Sequence, residues 1–224
     1  MSQVQSARLR SRLLTHHLLL FLANAACIAA LYATRPYKDV LTRASFATAY
    51  PALLLLAATL WLGPWKLLRG QRLPVSSDLR RDVGIWAGIL AVLHTGVGQC
   101  VHLRGRPWLY YIYDHPERHF LPLRHDLFGF SNYTGAAATL LALALLATSS
   151  DYALRRLGTP AWKRLQRWNY ALFALVACHA IGYQTIEKQH LRFVLTVAAT
   201  LAVTVALQGM GYRLRRGKRQ ADAR

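Results

Sequence analysis

The sequence predicts an all-α fold: a polytopic membrane helix bundle of six transmembrane helices with the N and C termini in the cytoplasm. Hydrophobic residues make up 54% of the 224-residue chain and charged residues only 17%, whereas soluble proteins average about 25% charged residues. Six apolar runs each reach the ~20 residues that cross a bilayer. The basic residues, which give a net charge of +19, cluster between these runs.

Arg, Lys, Pro or aromatic residues flank each of the six predicted spans, as interface anchors do. The first span is too long for the core of a cleavable signal peptide. The second contains Pro51 near its start, where a helix tolerates proline, and Gly63-Pro64 near its end, where we expect a kink or the helix terminus. The spans cover residues 13–33, 46–68, 83–102, 129–150, 168–186 and 193–211.

Lysine and arginine are distributed unequally between the two sides of this bundle. Nineteen of the 28 lie in the terminal tails and the second and fourth loops, and nine lie in the other loops. Short loops rich in Lys and Arg stay in the cytoplasm. Residues 1–12 and 212–224 are therefore predicted to be cytoplasmic tails around a domain of residues 13–211. We interpret the basic clusters as facing anionic lipid, with no nucleic acid partner, and expect the C-terminal tail to be disordered.

Two of the nine histidines, His94 and His179, lie deep within predicted spans. His94 is thirteen residues beyond Arg81 and His179 is twelve beyond Arg167, so each lies about 18–20 Å from the cytoplasmic edge of parallel helices. Ionisable groups inside a membrane are costly and indicate function. Two imidazoles at one depth suit the axial positions of a haem iron. Structural hydrogen bonding and proton relay are the alternatives.

Small residues surround His94 on the third predicted helix. Ala87, Ala91 and Gly98 share its face, and Gly84, Gly88 and Gly96 thin the helix further. This pattern predicts space for a large flat ligand. Close helix packing through the G-x-x-x-G of Gly84 and Gly88 is the alternative interpretation.

The longest loop, residues 103–128, faces outward in this topology. It is rich in tyrosine, histidine and acidic residues. We expect this loop to contact a partner or substrate.

Three predicted helices carry distinctive motifs: residues 81–85 and 93–96 on the third, residues 135–141 and 148–150 on the fourth, and residues 162–167 with Tyr170 and His179 on the fifth. These motifs resemble the helices of the ferric reductase-like transmembrane domain family. The resemblance covers roughly residues 46–190. The family includes ferric reductases, NADPH oxidases and the haem-binding membrane subunit of the periplasmic methionine sulfoxide reductase system.

The resemblance implies that His94 and His179 are the axial ligands of an outer haem b. Family members carry one or two haems, and the inner haem uses histidines about thirteen residues earlier on each helix. Arg80 or Arg81 and Gln166 occupy those positions here. We therefore expect one haem.

Five residues are candidate contacts to a haem propionate, a flavin such as FMN, or a quinol. They are Arg80, Arg81, Arg164, Gln166 and His102. The basic residues among them also serve as a topology signal, and His102 is also an ordinary interfacial histidine. No catalytic residue is assigned.

The expected function is that of an oxidoreductase subunit in the bacterial inner membrane. Electrons would pass from a cytoplasmic flavoprotein or quinol through haem b to an outward acceptor. No Rossmann-type or flavin domain follows the sixth span. Among the family members, this arrangement is closest to the stand-alone subunit that serves a periplasmic molybdopterin reductase. The alternatives are a self-contained membrane ferric or quinone reductase, and a non-enzymatic six-helix transporter or assembly factor.

Overall fold

The computed structural model describes residues 13–35, 39–70 and 78–222. The predicted N-terminal tail, residues 1–12, lies outside these ranges. A π-helical turn, Leu13–Leu18, leads into the first of seven α-helices that these residues form. The helices are α1 (Leu19–Thr34), α2 (Val40–Leu68), α3 (Asp78–Gly98), α4 (Leu127–Ala147), α5 (Asp151–Gln166), α6 (Asn169–Ile186) and α7 (Leu191–Asp222).

Each of the six predicted spans is helical, although three details differ from expectation. Pro51 and Pro64 both lie inside α2, which continues to Leu68 rather than ending at Gly63-Pro64. The third helix ends at Gly98, so His102 lies beyond it. The last helix runs to Asp222, and the basic segment from residue 212 is therefore helical where we expected disorder.

Four helical stretches within the described ranges are long and apolar enough to cross a membrane: Leu14–Thr34, Val40–Leu68, Leu127–Ala147 and Leu191–Gly217. This makes the chain a membrane protein, in agreement with its composition. The other two predicted spans, α3 and α6, are less apolar. Four of the first five residues of α3 are charged, and α6 has only 18 residues. These two helices carry His94 and His179.

Helix α2 lies at the centre of the bundle. It packs most extensively against α3 and α7, and α4 packs against α6 and α3. Ala47 and Ala57 are completely buried on α2, so neighbouring helices approach it closely. One apolar core joins α2, α3, α4 and α6 through Leu56, Ala87, Ala138, Ala142, Leu145 and Leu172.

Helix α5 lies in the fourth predicted loop and was not anticipated. Ser150 caps its N-terminus by accepting a hydrogen bond from the Ala153 amide at 3.1 Å, as N-cap serines do. Gly158, at φ 73°, kinks it. Trp162 is buried and donates from Nε1 to the Thr148 carbonyl at 2.9 Å. This helix is strongly amphipathic. It ends at Gln166, which therefore lies close to the N-terminus of α6.

The outward-predicted segment between α3 and α4 is ordered. It contains three short 3-10 turns and an antiparallel bridge between Ile112 and Leu123. Tyr110 is buried beneath it and donates a hydrogen bond to the Gly98 carbonyl at 2.9 Å. The segment is therefore anchored to the end of α3.

Candidate haem-binding site

His94 on α3 and His179 on α6 face each other. Their ring centroids are 6.1 Å apart and their planes cross at 74°. Metal–imidazole bonds are about 2.0–2.1 Å long, so two imidazoles on opposite sides of one metal have centroids roughly 6 Å apart. The observed separation is suited to a shared metal.

Both imidazoles are oriented by backbone carbonyls of neighbouring helices. His94 Nδ1 donates to the Ser45 carbonyl on α2 at 3.0 Å, and His179 Nδ1 donates to the Ser131 carbonyl on α4 at 2.8 Å. A carbonyl only accepts, so each neutral ring carries its proton on Nδ1 and its lone pair on Nε2. Metal-binding histidines are typically held in this way.

A cavity of about 240 Å³ runs through the bundle between α2, α3, α4 and α6, and both histidines line it. The predicted small face of α3 also lines it, through Gly84, Ala87, Gly88, Ala91 and Gly98. Gly96 does not line the cavity, and a Cβ at this position would meet nothing within 4 Å. The space predicted around His94 is thus present, with Gly96 as the exception.

Two glycines allow α4 and α6 to approach closely at this level. A Cβ on Gly135 would lie 2.6 Å from His179 Nδ1, and a Cβ on Gly182 would lie 2.0 Å from Ser131 Oγ. Either clash would push His179 away from the carbonyl that orients it. Gly135 belongs to the fourth-helix motif, whereas nothing in the sequence distinguished Gly182.

The end of the cavity near the N-terminus of α6 is lined by polar side chains, among them Gln166 and Asn169. Gln166 Nε2 is buried and has no hydrogen-bond partner among the described residues. Arg81 is buried but does not line the cavity, because it forms ion pairs with Asp151 and, at 3.5 Å, with Asp78. Of the five candidate contact residues, the cavity includes Gln166 and His102 and excludes Arg80, Arg81 and Arg164.

The end of the cavity near the C-terminus of α6 holds a contact between two titratable side chains that sequence reasoning missed. His102 Nε2 lies 3.1 Å from Glu187 Oε1, and both residues line the cavity. The hydrogen bond from His102 lowers the pKa of the Glu187 carboxyl, although burial acts in the opposite direction. His102 follows His94, and Glu187 follows His179, by eight positions, a signal that could have suggested the pairing.

The two facing histidines favour a metal whose other ligands are supplied by a cofactor. Within the described ranges, no group of three or more His, Cys, Asp or Glu side chains could hold a bare metal ion. Two imidazoles in a largely apolar cavity instead match the axial ligands of a haem, whose macrocycle supplies the other donors. The residues therefore fit a haem between α3 and α6.

Comparison with known proteins gives relatives but no structural neighbour. No protein-family profile matches the chain, and no solved structure matches it. The Protein-methionine-sulfoxide reductase heme-binding subunit MsrQ of Deinococcus radiodurans is 32% identical over 181 residues, which cover 80% of each chain. The subunit of the same name from Bordetella pertussis is 30% identical over 165 residues, 74% of this chain and 72% of the relative. The chain belongs to the MsrQ family.

Proposed function

We propose that this chain is a six-span, haem b-binding electron-transfer subunit of a methionine sulfoxide reductase system. The observation that carries the proposal is the facing pair of His94 and His179, each oriented through Nδ1 by a carbonyl of a neighbouring helix. The names of the relatives support both the haem and the reductase system.

In the proposed topology, α1, α2, α3, α4, α6 and α7 cross the inner membrane of a bacterium and both termini are cytoplasmic. The unequal distribution of Lys and Arg supports this orientation. Helix α5 then lies on the cytoplasmic surface with an apolar face toward lipid, as amphipathic interfacial helices do. The polar inner end of the cavity, near Gln166, faces the same side.

A bound haem b would supply a one-electron redox centre in the membrane. His94 and His179 would hold it through Nε2, and with both axial positions filled no site would remain open for oxygen chemistry. We propose a single haem. The Gln166 amide is a poor iron ligand beside imidazole, and Arg81 is already engaged with Asp151.

The direction of electron flow follows from the proposed orientation. A flavoprotein, a flavin such as FMN or a quinol would donate electrons on the cytoplasmic side. A periplasmic molybdopterin reductase would accept them on the outer side, where the ordered segment between α3 and α4 is exposed. Phe120 in this segment is 98% exposed, which leaves an apolar side chain available to a partner.

Replacing the two histidines tests the haem assignment. His94→Ala and His179→Ala, singly and together, should reduce the haem bound per protein at least about tenfold, since each change removes an axial ligand. The measurement is the b-type Soret absorbance of the purified protein before and after dithionite reduction. His115→Ala, on the exposed outer segment, is the control and should retain haem. Full haem retention in the double variant would refute the assignment.

A further inference from the structure

Glu187 introduces a carboxylate at the outer end of the cavity, and His102 is positioned to neutralise it. The His102 backbone N–H donates to the Tyr110 hydroxyl at 2.8 Å, and the His102 ring packs edge-on against Phe128 at 5.8 Å. Glu187 caps the C-terminus of α6. The contact between His102 and Glu187 therefore joins the segment after α3 to the end of α6, the two helices that carry His94 and His179.

The pair lies close enough to His94 and His179 for its charge to act on a redox centre held between them. Glu187 lies eight residues along α6 from His179, which corresponds to about 12 Å, and His102 contacts Glu187 at 3.1 Å. Neighbouring aromatic rings line the path between them, with His179 4.9 Å from Tyr183 and Tyr183 6.3 Å from Phe128. With an effective dielectric constant of about 20, one unit charge at 12 Å changes a proton-binding constant by about tenfold.

We propose that the His102–Glu187 pair is a proton-binding site coupled to the redox state of a haem held by His94 and His179. This inference rests on the proposed function. Reduction of the bound haem by one electron would raise the affinity of the His102 ring for a proton from the outer solvent about tenfold, and protonation would change the pair from one net negative charge to neutral. When the electron leaves for the outward acceptor, the proton returns to the solvent.

The other groups around the pair do not compete for this proton. Tyr110 and Tyr183 face it from the outer segment and from α6, and Cys100 and Tyr111 lie beside Tyr110. Burial raises the pKa of Tyr110, so its hydroxyl stays protonated at neutral pH. Arg35, which donates to Gln189 at 2.9 Å at the same end of the cavity, stays charged. The proton is therefore assigned to His102.

A redox titration of the purified haem protein as a function of pH tests this proposal. By reciprocity, a tenfold change in proton binding lowers the haem midpoint potential by about 59 mV in total as the pH rises through the titration. His102→Gln leaves a fixed negative charge, so its potential should stay at the low, alkaline limit and lose the pH dependence of the unmodified protein. Glu187→Gln removes that charge, so its potential should exceed that of the unmodified protein at the alkaline end.

The matched control is the pair of His115 and Glu117, which has the same chemistry on the outer segment. Its atoms are 3.2 Å apart, and its side chains are 60% and 66% exposed, against 35% and 27% for His102 and Glu187. His115→Gln and Glu117→Gln should leave the pH dependence of the midpoint potential unchanged.

Two outcomes would overturn the inference while leaving the haem assignment intact. One is an equal pH dependence of the midpoint potential in the unmodified protein and all four variants, and the other is a midpoint potential of the unmodified protein that does not change with pH. Absence of haem from the unmodified protein would instead refute the proposed function.

Discussion

The backbone carbonyls of Ser45 and Ser131 determine which nitrogen each functional histidine presents to the cavity. A peptide carbonyl inside a helix normally accepts from the amide four residues later, and a second lone pair remains available to it. The Ser131 hydroxyl donates to the Leu127 carbonyl of its own helix. The Thr48 hydroxyl donates to the Ala44 carbonyl and lies 3.5 Å from His94 Nδ1, farther than the Ser45 carbonyl at 3.0 Å. The orientation of the imidazoles therefore depends on how closely the helices approach.

Gly135 provides the most direct test of that dependence. In Gly135→Ala the new methyl group would lie 2.6 Å from His179 Nδ1, so we expect about 1–3 kcal/mol of destabilisation from overpacking and a reduced haem content. Thermal unfolding and the ratio of Soret to protein absorbance measure the two effects. Gly96→Ala is the control, because its Cβ meets nothing within 4 Å. Equal behaviour of the two variants would contradict this account.

At the scale of elements, Arg35 connects three helices at the end of the bundle where α1 finishes and α7 begins. Its guanidinium lies 3.4 Å from the ring centroid of Phe46 on α2 and 3.6 Å from that of Phe193 on α7. It also donates to Gln189, which precedes α7. A desolvated cation between two aromatic faces contributes about 2 kcal/mol or more, and this contact holds the end of α1 against the bundle.

Arg35→Ala should therefore lower the thermal midpoint of the purified protein and loosen α1. We expect a loss of about 2–4 kcal/mol, because the change removes a stacked cation and a hydrogen bond to a charged donor. Arg192→Ala is the matched control. Its guanidinium lies 4.9 Å from the same Phe193 ring but is exposed, so its loss should cost under about 1 kcal/mol. Similar midpoints for the two variants would show that the Arg35 contact is not stabilising.

At the scale of the whole molecule, the proposed orientation places the two ends of the cavity on opposite sides of the membrane. A reporter that is active only in the cytoplasm should function when fused after Asp222, and one that is active only outside should function when inserted at Glu117. This expectation follows from the excess of Lys and Arg on one side. Activity of the outside reporter at Asp222 would reverse the topology.

Much of this architecture could be predicted from the sequence, because apolar length and charge act locally. The six helical segments, the shared depth of His94 and His179 and the small face of α3 all follow from spacing. The features that were missed depend on the path of the chain or on backbone atoms. Helix α5 lies in a segment that was predicted to be a polar loop, although its amphipathic pattern indicates a helix. The contact of His102 with Glu187 requires the turn after Gly98, and carbonyl partners have no residue-type signature.

The weak apolarity of α3 and α6 has a consequence for biogenesis. In the proposed topology these helices must enter the bilayer with their polar residues, and insertion of such segments is costly on its own. Their neighbours α2 and α4 are among the four strongly apolar stretches. We therefore expect the translocon to release α3 and α6 into the bilayer together with these apolar neighbours, as helical hairpins. His94 leaves the ribosome 85 residues before His179. Cofactor loading must therefore wait until α6 is synthesised, which makes haem capture a late step in maturation.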